Sequence, residues 1–155
     1  MTGSKMVVRA IRMAHVIGLV FVSSVFAAES RYPVPDKGYL GQRVEQLYRA
    51  EVGEDWKTFY SMTAPKLRSA MTFDQFLKES QGRRPFKVVS WRIQKIRGAE
   101  RNDDNPADLD AVAQVAMDVF VEYTGGRREK MKDQTDYWVH IKGEWFWAWR
   151  GFPDD

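Results

Sequence analysis

Two side chains in this sequence have the type and setting for proton transfer: Asp118 and His140. Asp118 sits mid-run between Ala116 and Phe120. Burial there would raise its carboxyl pKa towards general-base work. The blander reading is a solvated outer face, as neighbouring Gln114 and Glu122 indicate, and it is the favoured one. His140 is the only His beyond the N-terminal segment. Its titration range makes it a candidate base. A lone His between aromatics on a strand is, however, more often a packed core residue than a catalyst. The two could act as an acid/base pair only if neighbouring strands bring them within hydrogen-bond reach.

The densest aromatic stretch is Trp138 to Trp149, Trp-Val-His-Ile-Lys-Gly-Glu-Trp-Phe-Trp-Ala-Trp, which holds four of the six Trp. Two short runs of β-branched and aromatic residues flank Lys142-Gly143, the pattern of a hairpin with a primed two-residue turn. In that register His140 faces Trp145 and Trp138 faces Trp147. Trp138, His140, Trp145, Trp147 and Trp149 then share one face, and Val139, Ile141, Phe146 and Ala148 the other. Both faces are largely apolar, so both are expected to be packed. The first face is the candidate ligand-binding surface. It would line a pocket for a small apolar or sugar ligand, or form an interface for a protein partner. The competing reading is plain core.

Other chemistry is absent. There is no phosphate-binding loop, no His-Glu-x-x-His, no metal-ligand spacing and no Cys. Disulfides, Cys-based zinc sites and Cys nucleophiles are excluded, and neither a cofactor nor a metal is expected. The Asp- and Asn-rich stretch 98–108 lacks the ligand alternation and Gly turn of a calcium loop and reads as a solvated loop.

The elements that would position these residues follow a leader. Lys5, Arg9 and Arg12 precede the apolar run Val16 to Phe26, and Val25-Phe26-Ala27 fits a cleavage site. Residues 1–27 therefore read as a secretory signal peptide, and the chain is expected to be exported, periplasmic or secreted. The apolar run is shorter than a membrane span. Membrane attachment is expected only if the signal stays uncleaved. The formal charge of +3 comes from 24 basic and 21 acidic residues. Removing the three basic residues of the leader leaves the remainder neutral, which argues against a nucleic-acid partner.

Residues 28–37 read as an extended lead-in. Asp36 can cap a helix beginning near Lys37, with a stripe of Leu40, Val44, Leu47 and Tyr48 and a stop at Gly53. A second helix is expected over 54–62, with Trp56, Phe59 and Tyr60 as its stripe. A third covers 64–70, capped by Thr63 with Pro65 in its first turn. A fourth begins at Thr72, with Gln75 completing a capping box, turns Phe73, Phe76 and Leu77 inward and ends at Gly82. After Pro85 the period becomes 2. Val89, Trp91 and Ile93 alternate with Ser90, Arg92 and Gln94. Ala111 to Tyr123 carries an unbroken apolar face, Gly125-Gly126 marks a turn, and a charged strand then leads into the Trp hairpin. Helices followed by about four antiparallel strands argue for an α+β fold, with the helices packed on one face of a curved sheet.

This layout resembles the nuclear transport factor 2-like superfamily, also called SnoaL-like or ketosteroid-isomerase-like. The residues that carry the resemblance are Val44…Leu47-Tyr48, Asp55-Trp56…Phe59-Tyr60, Pro65-Lys66-Leu67-Arg68, Thr72-Phe73-Asp74-Gln75-Phe76 and Gly143-Glu144-Trp145-Phe146-Trp147. The resemblance implies a cone-shaped domain over residues 38–151, with 152–155 as a tail. It also implies a pocket that binds a small ligand, catalyses isomerisation or dehydration, or is filled and inert. The family's catalytic residues do not map onto this chain position by position. The expected function is thus an exported, non-enzymatic binding domain. The alternatives are a periplasmic assembly scaffold held by its N-terminal segment and an isomerase- or dehydratase-like enzyme. A homodimer through the open face of the sheet is also expected.

Overall fold

The computed structural model describes residues 31–82, 85–101 and 109–151. The leader, Arg83-Arg84, most of the acidic loop and the tail lie outside the described residues. Four helices come first: α1 (Lys37–Val52), α2 (Trp56–Ser61), α3 (Pro65–Ala70) and α4 (Phe73–Gly82). Four strands follow: β1 (Phe86–Ala99), β2 (Leu109–Tyr123), β3 (Arg128–Ile141) and β4 (Glu144–Gly151). They form one open antiparallel sheet in the order β1-β2-β3-β4. The fold is α+β, with the helices preceding the sheet.

Local chemistry sets the helix ends. The Asp36 carboxylate accepts from Tyr39 N at 3.0 Å, capping α1. Gly53 closes α1 by donating to Arg49 O. The second helix starts later than its acids imply. Asp55 is the cap rather than a first-turn residue and accepts from both Thr58 N and Thr58 Oγ1. Thr63 does not cap α3. Its hydroxyl donates back to Tyr60 O, and Ala64 takes the cap position with no side-chain bond. The capping box at α4 is present: Thr72 N donates to Gln75 Oε1 and Gln75 N to Thr72 Oγ1.

The α1 stripe of Leu40, Val44, Leu47 and Tyr48 is fully buried. It packs on the inner face of the sheet, against Ala111, Ala113, Val115, Met117, Val119 and Val121 of β2. Bulges re-aim the strands. One between Val88 and Ser90 puts Val88 in the core, where simple alternation would place Val89. Another, between Leu109 and Ala111, leaves Asp110 as the extra residue on β2. β1 also runs further than the sequence implies, because Gly98 belongs to it rather than to the loop. A Cβ at Gly98 would lie 1.9 Å from Tyr32 O. The lead-in is therefore not a free arm: it lies against this end of the sheet and needs a residue without a side chain beneath it.

Candidate functional site

The Trp hairpin forms in the expected register. Trp138 pairs with Trp147, Val139 with Phe146, His140 with Trp145 and Ile141 with Glu144. Lys142 (φ 50°) and Gly143 (φ 86°) both adopt the left-handed conformations of a primed turn. Both faces are packed. Trp138 and Trp145 join the main core, while Val139, Ile141, Phe146 and Ala148 form a smaller cluster with Leu109, Val112 and Ala64. A register shift between Tyr137 and Trp138 places Trp149 opposite Tyr137, out of the Trp138–Trp147 row.

Burial decides what this face does. Trp138 and Trp145 have no exposed surface. The Trp145 indole donates to Pro35 O at 3.1 Å, and Arg43 Nε donates to Trp145 O at 3.3 Å. Trp147 is half-buried, with its ring 5.4 Å from Phe59 and edge-on to it. Its backbone is taken as well: Ala64 N donates to Trp147 O and Trp147 N to Met62 O. Main chain from the helical layer thus caps the outer edge of β4 there. This end of the sheet is closed by its own side chains and by the lead-in.

His140 packs on Trp145, ring centroids 4.9 Å apart, and its Nδ1 lies 3.2 Å from Asp110 Oδ2 without hydrogen-bond alignment. Its carboxylate neighbour is therefore Asp110 and not Asp118. His140 stands opposite Ala111 on the inner face, seven residues along β2 from Asp118. At the rise of a β-strand that is roughly 20 Å, and the two side chains sit on opposite faces. The pair does not exist.

Asp118 corrects both sequence expectations. It is buried, so its face is not freely solvated. Its pKa is nevertheless lowered, not raised. Lys130 Nζ lies 2.5 Å from Oδ2, and the same oxygen accepts from Gln94 Nε2 at 2.8 Å. The hydrogen bond from Lys130 is the largest cause and outweighs desolvation. A carboxylate held ionised by an ammonium is a poor base. Parallel rows cross the same outer face. Glu122 is held below its usual pKa range by Arg128 (2.7 Å) and then by Lys87 (3.3 Å). Gln114 accepts from Arg97 and donates to Tyr137.

Sequence reasoning missed a polar contact inside the core. Tyr48 Oη donates to Asp136 Oδ2 at 3.0 Å, and both residues are fully buried. The Tyr48 ring also packs on Trp91 at 5.5 Å. The signal was present in the sequence, since Asp136 shares strand parity with Trp138 and His140.

The largest cleft among the described residues lies at the opposite end of the sheet and encloses about 430 Å³. The end of α1 and the following turn (Glu51, Val52, Glu54), the start of α2 (Trp56), the end of α4 (Ser80, Gln81), the start of β1 (Phe86 to Val88) and the β2–β3 turn (Glu122 to Gly126) enclose it. Trp56, Phe86 and Tyr123 are half-buried, and Phe86 meets Tyr123 edge-on at 5.6 Å. None of the residues expected to bind a ligand lines this cleft. Trp56 had been assigned to a core stripe, and Phe86 and Tyr123 only converge once β1 and β2 pair.

Among the described residues no group of three His, Asp or Glu could hold a metal, and no helix is long and apolar enough to cross a membrane. No protein family matches the chain, and no curated protein matches it. Among solved structures it is similar to a SEC-C motif containing protein from Rhodopseudomonas palustris, determined in solution. The identity is 15% over 69% of this chain and 73% of that one, with a TM-score of 0.49. Likeness at that level carries no functional argument.

Proposed function

We propose that this chain is an exported, non-enzymatic binding domain built on a cone of the nuclear transport factor 2-like kind. Its ligand site is the cleft between the end of α1, the end of α4 and the β2–β3 turn. The observation that carries this reading is the cleft itself: about 430 Å³, walled by three half-buried aromatics and several polar groups. That size and lining match a small-molecule site. The Trp hairpin serves as the closed floor of the domain and not as the binding surface. A non-enzymatic role is supported by the state of the candidate catalysts. Asp118 is held by Lys130 and Gln94, and Asp136 and Tyr48 are sealed in the core.

The test is mass spectrometry of the protein purified from the periplasm of an exporting host, first native, then denaturing. A small mass lost on denaturation, and absent from the Trp56→Ala variant, is the expected result. A retained mass that survives Trp56→Ala but disappears in Trp147→Ala would move the site back to the hairpin. A bare mass throughout would argue against a resident small ligand.

A further inference from the structure

We infer that the cleft selects a positively charged ligand, an amine, quaternary ammonium or guanidinium group. This rests on the cleft being the ligand site, and it adds the chemical class.

Three independent features of the wall favour a cation. The first is aromatic. Trp56, Phe86 and Tyr123 converge there, and aromatic faces attract ammonium and guanidinium groups, most strongly when several rings surround a desolvated cation. The rim already holds one: the Arg127 guanidinium lies 4.4 Å from the Tyr123 ring centroid. The second feature is charge. The lining residues include three carboxylates, Glu51, Glu54 and Glu122, and one ammonium, Lys87. Lys87 is bound to Glu122 at 3.3 Å, so it presents no free cation to repel a ligand. The third is backbone. The cleft receives the C-terminal end of α1, a helix of 16 residues. The macrodipole there is negative and favours cations. The second, smaller hollow, on the outer face, has the opposite character. Arg128, Lys130 and Glu129 surround Ser90, Val89 and Phe120, and no acidic excess exists there.

Trp56 also provides the reporter, because its buried indole N–H has no hydrogen-bond partner among the described residues. The experiment is an NMR titration of the exported protein with choline and agmatine as cations. Neopentyl alcohol serves as the uncharged probe of similar shape. Both cations should move the Trp56 indole resonance saturably, and the alcohol should bind about tenfold more weakly or not at all. Glu54 is exposed, so Glu54→Gln removes charge without disturbing the core and should weaken the cations about threefold while leaving the alcohol unchanged. Equal binding of alcohol and cations, or no effect of Glu54→Gln, would overturn the charge selectivity while leaving the cleft as the site. If no probe moves Trp56, the cationic class is wrong. The retained-mass comparison with Trp56→Ala then decides the cleft reading on its own.

Discussion

The two ends of this sheet are built from the same material and reach opposite outcomes. At the hairpin end, Trp138 and Trp145 are fully buried, the lead-in crosses over Gly98, and Pro35 accepts the Trp145 indole hydrogen. At the other end, Trp56, Phe86 and Tyr123 remain half-buried around an open cleft. Aromatic residues alone therefore do not make a pocket. A closing segment laid across one end turns them into core, and its absence at the other end leaves them as walls. α1 connects the two: it begins beside Trp145, where Tyr39 Oη donates to Glu144 at 2.6 Å, and ends beside the cleft at Glu51.

The contrast can be broken most severely at the closed end. Trp138→Ala should cost about 3–5 kcal/mol, as expected for a large aromatic removed from a core, read as a lowered urea midpoint. Gly98→Ala should cost about 1–3 kcal/mol, because its Cβ must displace the Tyr32 main chain. Hydrogen exchange at residues 31–36 should rise in that variant, and unchanged protection would show that the lead-in is not what closes this end. Tyr48→Phe should cost about 1–2 kcal/mol by removing the hydroxyl bonded to Asp136. A neutral result in denaturant melts would mean that Asp136 does not depend on that bond.

Trp56→Ala sharpens the comparison from the open end. Because Trp56 is only half-buried, it should cost about 1 kcal/mol, well below Trp138→Ala. Equal losses at the two positions would erase the distinction between floor and wall. The smallest effect concerns pH. Asp118, Glu122 and Asp55 all have folded pKa values below their usual range. Their contribution is present above the ordinary carboxylate pKa and is lost as pH falls through the lowered values, below about pH 4. Asp118→Asn should flatten part of the acid limb of a stability-versus-pH curve and leave the neutral-to-alkaline limb unchanged in shape.

Much of the scaffold was legible from residue order. Periodicity located four helices and four strands, Asp36 and Thr72 marked two helix starts, and Lys142-Gly143 set the hairpin register through Trp138–Trp147 and His140–Trp145. These are local properties, governed by side-chain direction within a few residues. Errors occurred where a bulge interrupted the count, as at Val88, Asp110 and Trp149. An inserted residue reverses every face assignment beyond it, and no residue type announces it.

The site was the less legible part. Asp118 looked like a base because its strand neighbours are apolar, yet Lys130 and Gln94 come from the strands on either side. The cleft draws on α1, α2, α4 and three strand ends, so no window of sequence contains it. The sequence by itself determined the helices, the strands, the hairpin and the α+β order, because each rests on short-range periodicity and turn chemistry. Only the tertiary structure decided which aromatics are floor and which are wall, and which carboxylate meets which cation. Those outcomes depend on chain segments more than twenty residues apart arriving at one place.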